Sequence, residues 1–517
     1  MSEAGIQPKW SLPYRTPHSS RGQRALRVAA YVLLVGAIVT PVVQFQIRTR
    51  RSHRKELEYR AFQDKYEHLT DEELAARGIK RLPAPGKTTR GAIGRWRWAV
   101  QPFWEGRNIY QPHEGTEPIP VWLHPNMPFT VILLTPFALL GVEAMALTFN
   151  LCKVLVLVAA ILGAARLANH NGRKMPDWVL ALALLWAILP IVGDIQHGNT
   201  NVFVLAAIVL HLWWYRRGHD LRAGAALALA ICLKMTPALF LLYWAYQRNW
   251  KLLAAAVVAL VLFAVVVPAA ALGPSPYATL AGSWFDNLIY PGLVKGSWYP
   301  VHINQSLPGV FSRYFFAPPS PNGDIFWNPD DFTYAEQLQR QTPYWITLIG
   351  LPPWGVKLLV RVGQLAIVGL MAWAIGWRKL PRDDGRRALH YGLVALGMLL
   401  LNQRTWDHHA AILLPANVAI WYAIAFGRVG RRVRWAALIL MLPAGLLVWG
   451  GGTTLFVLIA KMMGESAKVG DRWADIAEAY GPAFYHFVLL LATAAMLSIA
   501  LRHGTDPYAD RRQRLSG

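Results

Sequence analysis

The sequence predicts an all-α polytopic membrane protein, and three observations carry the prediction. Hydrophobic residues fill 54% of the 517 positions and charged residues only 16%, too apolar a balance for an ordinary soluble chain. The apolar residues gather in runs able to span a hydrocarbon core of about 30 Å, which takes about 20 residues of helix. The Arg and Lys behind the net charge of +23 lie between those runs and form no basic domain of their own. Charge placed that way sets topology and meets anionic lipid headgroups, and it speaks against nucleic acid as a partner.

Taken in order, residues 1–27 read as a basic cytoplasmic N-terminus. The run at 28–46 is preceded by Arg21, Arg24 and Arg27 and followed by Arg48, Arg50 and Arg51. With no small-residue cleavage pattern after it, it reads as a retained helix. Further spans are expected at 145–166, 177–193, 201–215, 221–233, 235–247, 251–272, 354–377, 388–402, 408–427, 432–452 and 482–502. The segment 127–141 is short and interrupted by Pro128 and Pro136, so a re-entrant or tilted segment competes with a crossing. The total is about 11–13 transmembrane helices. Cys152 and Cys232 both lie in apolar stretches and read as packing residues, not as a disulfide or metal framework.

Basic connections at 166–174, 216–222, 248–251, 378–387, 428–434 and 502–514 mark the cytoplasmic side, and 503–517 is a basic cytoplasmic tail. The remaining connections, 47–126, 193–201, 233–237, 273–353, 403–408 and 453–481, then face outward, although the basic stretch from Arg51 to Arg60 sits poorly on that side. Residues 28–502 thus form one membrane domain with two long outward loop regions. Loop 47–126 carries an amphipathic helix at 56–77, the turn Pro83-Ala84-Pro85-Gly86, and an aromatic patch of Trp96, Trp98 and Trp104 with Arg95 and Arg97. These suit helices lying in the interface. Loop 273–353 reads as structured loop at 277–299 and 318–329.

Polar groups at membrane depth are costly, at about 2.5 to 3.5 kcal/mol for a central Lys or Arg, so each needs a partner or a purpose. Lys234 interrupts an apolar stretch just before Met235-Thr236-Pro237. It is either an anion contact, most simply to phosphate, or a lysine reaching for the interface from a helix end. Asn199 and Asn201 follow the span at 177–193 and either cap the next helix or offer amides to a hydroxylated ligand. His302-Ile303-Asn304-Gln305-Ser306 and Arg313 lie among aromatics suited to sugar stacking or lipid contact. In Asn402-Gln403-Arg404-Thr405-Trp406-Asp407-His408-His409, Asp407 and His408 are a base–orienter pair or Asp407 is a helix cap. Adjacent His residues on a helix point apart and no acid recurs at ligand spacing, so neither metal nor cofactor is expected. The charge count puts these separated clusters on one face.

At these residues the chain resembles glycosyltransferase family 87, polytopic GT-C transferases that include polyprenyl-phosphate-mannose-dependent α-mannosyltransferases. The resemblance runs from about Trp104 to Pro415. Gly106-Arg107-Asn108-Ile109-Tyr110 is similar to a Gly-x-x-x-Tyr element, and Leu123-His124-Pro125-Asn126-Met127-Pro128 to a Tyr-Pro-Pro-like one. Gly198-Asn199-Thr200-Asn201 resembles a Gly-Gln-x-Asn box, and Lys234-Met235-Thr236-Pro237 a Lys-x-x-Pro element. Asn304-Gln305-Ser306 with Arg313 resembles an Asn-x-Ser element, and Thr405-Trp406-Asp407-His408-His409 a Ser-Trp-x-His-His element.

The resemblance implies a GT-C-type fold that moves a hexose, by family mannose, from a polyprenyl-phosphate donor to a lipid or glycan acceptor on the non-cytoplasmic face, with inversion. The setting it implies is a bacterial inner membrane with the site facing the periplasm. Family members carry a catalytic carboxylate one short helix before the Gly-x-x-x-Tyr element, whereas Arg90-Gly91-Ala92-Ile93-Gly94-Arg95-Trp96 has none. The base is then sought in Glu105, then Asp407 or His408, then Asp64 or Asp71. Lys234, Arg313 and Arg404 are expected at the donor phosphate. His124, Asn199, Asn201, Asn304 and His409 are expected at the sugar or acceptor. Two other readings use the same features: a lipid or polyprenol carrier, which needs no base, and a non-catalytic partner in envelope glycan assembly.

Overall fold

The structure, a computed structural model, describes residues 21–82, 91–110, 126–169, 175–294, 301–316 and 346–502. These residues contain no strand beyond one isolated bridge between Phe316 and Leu351, so the chain is all-α as expected. His124, the turn at 83–86, the loop at 318–329 and both terminal tails lie outside the described residues.

The first helix, α1 (Arg21–Tyr66), differs from the expected span and separate amphipathic helix. It is continuous over 46 residues, about 70 Å at 1.5 Å per residue, more than twice a bilayer core. Nothing between Arg48 and Tyr66 breaks it, since that stretch has no Gly or Pro, and the i,i+4 pairs Arg54–Glu58 and Glu56–Arg60 support it. The short helix α2 (Asp71–Ala76) begins at a capping box between Thr70 and Glu73.

Next comes α3 (Gly91–Trp104), which docks on protein: Trp96 is buried beside Phe45, Met145 and Phe149, and Trp104 Nε1 donates to Thr135 Oγ1 at 2.9 Å. The remaining helices are α4 (Pro128–Ala138), α5 (Val142–Ala168), α6 (Asp177–His197), α7 (Asn201–Arg216), α8 (Asp220–Leu233), α9 (Leu239–Tyr246) and α10 (Trp250–Leu272). Then follow α11 (Pro274–Trp284), α12 (Leu307–Phe315), α13 (Pro353–Ile375), α14 (Arg386–Leu400) and α15 (Asp407–Phe426). The chain closes with α16 (Arg431–Gly450), α17 (Thr453–Met462), α18 (Ala467–Ala479) and α19 (Pro482–Ala500).

Eight of these, α1, α5, α6, α10, α13, α15, α16 and α19, are long and apolar enough to cross a membrane. The chain is therefore a multi-pass integral membrane protein. The other expected spans appear as helices α4, α7, α8, α9 and α14, of 8 to 16 residues, each too short to cross alone. Burial separates the helices into two populations. In α10 only 17% of the spanning window is buried, and Val258, Val261 and Val266 stand open on its surface. For α15 the share is 83%, and every residue of α14 but Arg386 is buried. An apolar surface open to solvent over a whole helix face is stable only in lipid, so α10 is peripheral and α14–α15 form the centre.

The two ends of the bundle differ chemically. At one end basic residues tie connections together: Arg27 pairs with Asp177, Arg216 donates to the carbonyls of Arg166, Leu167 and Asn169, and Arg382 grips Asp220 with two hydrogen bonds. Cations on helix C-terminal carbonyls complete groups the helix leaves unbonded. The other end gathers the polar clusters.

Candidate functional site

The site is built on the break between α6 and α7. Gly198 adopts φ 61°, the left-handed conformation that ends α6, and Asn199 N–H bonds back to the Asp194 carbonyl at 3.2 Å. Gly91 also has positive φ, and a Cβ there would meet the His197 carbonyl at 2.8 Å. With the Ile93 N–H donating to Gly198 O at 3.1 Å, α3 is seated directly on the end of α6.

Neither Asn199 nor Asn201 caps α7. The Asp194 carboxylate does so from the preceding helix, accepting the backbone N–H groups of Asn201 at 3.2 Å and Val202 at 3.4 Å and the Asn201 side-chain amide at 2.8 Å. Lys153, on α5, lies 2.9 Å from that carboxylate, and both side chains are 0% exposed. Its ammonium also donates to the Asp194 carbonyl at 2.8 Å. The oxygen of the same amide, Asn201 Oδ1, accepts from Lys234 Nζ at 2.7 Å. A continuous polar chain, Lys153–Asp194–Asn201–Lys234, therefore joins α5, α6, α7 and the end of α8. Lys153 and Asp194 were not among the expected site residues. A charge inside the span at 145–166 was the signal for Lys153, by the same cost argument that singled out Lys234.

The second wall is the α14–α15 connection. Pro415, at the head of the α-helical part of α15, has no N–H to donate, and residues 407–413 before it wind as a tighter 3₁₀ turn. That turn carries His408 and His409, whose rings lie 4.8 Å apart at 83° and so point to different places. Asn199 Nδ2 donates to His408 Nε2 at 2.9 Å, and the His197 ring lies 4.6 Å from it. A Cβ on Gly193 would meet His408 Cβ at 3.3 Å, so the small residue sets how closely α6 approaches the turn. His409 Nδ1 accepts the Trp406 N–H at 3.2 Å, with its ring stacked over Trp406. Asp407 is not a helix cap: its Oδ1 is buried and has no hydrogen-bond partner.

The third element is the turn before α12. Asn304 is fully buried; its amide donates to Gln403 O at 2.7 Å and its oxygen accepts from Thr405 N at 2.9 Å and Ser306 N at 3.2 Å. It clamps the 302–306 turn to the α14–α15 connection. Arg313, also 0% exposed, gives Nε to Ala479 O and Nη1 to the carbonyls of Val301 and Asn304. Burial lowers it to about 10, with Tyr314 and Glu478 opposing. Its geometry is that of a bracket between segments. Arg404 is half-buried, and its carbonyl accepts from Asn402 Nδ2.

Glu105 stands apart from these three elements, exposed after α3. Its carboxylate is engaged by Gln101 at 2.8 Å and Arg107 at 2.6 Å, and these hydrogen bonds, Gln101's first, hold it below the usual range. Asp71 is half-exposed to exposed and pairs with Arg81. Nor does the carboxylate-free start of α3 acquire an acid from elsewhere in that helix.

The geometry thus joins the Asn199, Asn201, Lys234, Asn304, Arg404, Asp407, His408 and His409 segments at one end of the bundle. That end of the bundle carries a lysine, a buried carboxylate oxygen without a hydrogen-bond partner and an imidazole held by Asn199, groups capable of acid–base chemistry.

Comparisons with known proteins show what the chain is similar to. The model of a family described as glycosyltransferase family 87 matches residues 122–402. The polyprenol-phosphate-mannose-dependent alpha-(1-2)-phosphatidylinositol mannoside mannosyltransferase of Mycobacterium tuberculosis (strain ATCC 25618 / H37Rv) is 25% identical over 351 residues, covering 62% of this chain and 67% of the relative. Among solved structures, the crystal structure of ArnT from Cupriavidus metallidurans bound to undecaprenyl phosphate aligns over 78% of this chain and 72% of that one. Its TM-score of 0.33 and 12% identity make that likeness remote.

Proposed function

The chain belongs to glycosyltransferase family 87, and from that premise we propose that it moves a hexose, in the first instance mannose, from a polyprenyl-phosphate donor to a lipid or glycan acceptor on the non-cytoplasmic face of a bacterial inner membrane. The observation that carries the reading is the direct linkage of Lys234 to Asn201 at 2.7 Å and of Asn199 to His408 at 2.9 Å. These bonds hold a cation and an imidazole on the neighbouring residues Asn201 and Asn199, away from the end where Arg216, Arg382 and Arg27 gather. Nucleotide sugars are cytoplasmic, so a pocket on the opposite face takes its sugar from a lipid carrier.

In this reading the acceptor hydroxyl attacks the anomeric carbon from the side opposite the phosphate. A carbon–oxygen bond forms to the acceptor, the bond to the lipid phosphate oxygen breaks, and the configuration inverts. Lys234 and Arg404 stabilise the departing phosphate through charge-assisted hydrogen bonds. Asp407, with a buried oxygen open to a donor, takes the acceptor proton, and His408, held by Asn199, orients the acceptor. His409 lines the pocket against the sugar, and His124 remains the expected acceptor contact from the loop before α4. Arg313 and Asn304 hold the 302–306 turn in place, and Glu105 has no part in the chemistry.

Incubating the full-length protein in liposomes with radiolabelled polyprenyl-phosphate mannose and a membrane lipid acceptor fraction tests the proposal. Release of lipid phosphate with label in a new glycolipid is the expected result. Transbilayer movement of the donor without turnover, or no change at all, overturns it.

A further inference from the structure

Facing the 302–306 turn is α18, whose last two turns present Asp475 and Glu478 three residues apart and so on one face. His302 Nε2 lies 3.5 Å from Asp475 Oδ1 and 4.0 Å from Glu478 Oε2, and the three donor atoms all fall within 4.8 Å of one another. Ligand atoms about 2.1 Å from a common ion are separated by roughly 3 to 4 Å, so the set needs only a small closure to share one. Two further observations point to a ligand there. Gln305 is 0% exposed and is anchored between the same two segments, donating to His302 O at 2.8 Å and Glu478 O at 2.9 Å, while its Oε1 has no partner. Asp407, with its own unpartnered Oδ1, is close enough for its charge to act on Glu478. Arg313, the cation that faces Glu478, donates to three carbonyls through Nε and Nη1, and its buried Nη2 has no partner.

We infer that His302, Asp475 and Glu478 bind a divalent transition-metal cation, with Gln305 Oε1 as a neighbouring oxygen donor. One imidazole with two carboxylates suits Mn²⁺ or Zn²⁺; Mg²⁺ and Ca²⁺ favour all-oxygen sets. The site neutralises the crowded acids and fixes α18 to the turn that Asn304 clamps against the α14–α15 connection. It departs from the sequence expectation of no metal, because His302 lies more than 170 residues from the two acids along the chain. The inference is independent of the proposed donor, since binding is read directly.

The experiment uses the full-length protein in detergent, stripped with chelator and desalted. MnCl₂ is titrated in while free Mn²⁺ is followed by its electron paramagnetic resonance signal, and ZnCl₂ is titrated against a chromophoric indicator. One equivalent of one or both metals is expected per chain, weakened by about tenfold or more in Asp475→Asn and abolished in Asp475→Asn/Glu478→Gln. Asp471→Asn, an exposed carboxylate on the same helix, leaves binding unchanged. Asp475 is 45% exposed, so its single substitution keeps the test open should the double variant fail to fold. Absence of a stoichiometric site for either metal, or equal binding by wild type and Asp475→Asn, overturns the inference and leaves His302 as an ion-pair partner of α18 alone.

Discussion

Replacing Lys153 by Met probes whether the polar chain beneath the pocket is a single unit. The ammonium and the Asp194 carboxylate are 2.9 Å apart with neither exposed, so their attraction is about 6 kcal/mol at an effective dielectric of 20. Removing one partner of such a pair costs about 3 to 5 kcal/mol, because the remaining charge stays buried. Three N–H groups from Asn201 and Val202 remain on the carboxylate, which puts the expected loss near the lower end, about 3 kcal/mol. The lost contact with the Phe149 ring, 5.1 Å from the ammonium, adds a little. In Lys153→Met/Asp194→Asn the stranded charge is gone while an oxygen remains for Asn201, so most of the stability returns and Lys234 keeps its partner. Thermal midpoints by tryptophan fluorescence in detergent, paired with transfer rates in liposomes, read the two effects. A single variant as stable as wild type, or a double variant less stable than the single, refutes the reasoning.

Lys234→Ala removes a charge-assisted hydrogen bond to the donor phosphate, worth about 1.5 to 3 kcal/mol, so the KM for polyprenyl-phosphate mannose should rise at least tenfold, and the melting midpoint should fall modestly because the buried Asn201 Oδ1 loses its donor. Asp407→Asn should lower kcat by about 100-fold or more as expected for loss of a general base, whereas Glu105→Gln should retain most of the activity; side-by-side single-turnover assays check both. At Gly309 an added Cβ would come within 2.5 Å of Asn304 Cγ, so Gly309→Ala should displace the clamp to Gln403 and Thr405 and lower both stability and rate, as measured by melting and transfer.

Some of the site could be read along the chain because its cues are local. Lys234 announced itself as a charge in an apolar stretch, and Asn199, Asp407 and His408 stood at the junctions of spans. Asn304 and Arg313 looked alike in sequence, as polar residues among aromatics, yet folding engages Arg313 with backbone carbonyls and Asn304 with a carbonyl and two backbone N–H groups. Glu105 was the nearest carboxylate to an expected motif, and its position after α3 leaves it in solvent with Gln101 and Arg107. Lys153 was missed although the argument for Lys234 applied to it equally.

Membrane class, the long apolar spans, and the basic end of the bundle follow from the sequence alone. Hydropathy over twenty residues and the count of Arg and Lys in short connections are properties of neighbouring residues, and the bilayer supplies a fixed thickness against which they are measured. Only the tertiary structure decides which polar groups hold the pocket together and which stay open within it. A side chain's hydrogen bonds are made to whatever the packing brings near: 209 residues separate Asn199 from His408, and 173 separate Gln305 from Glu478. No pattern of adjacent residues encodes those meetings, and the gathering of His302, Asp475 and Glu478 has the same origin.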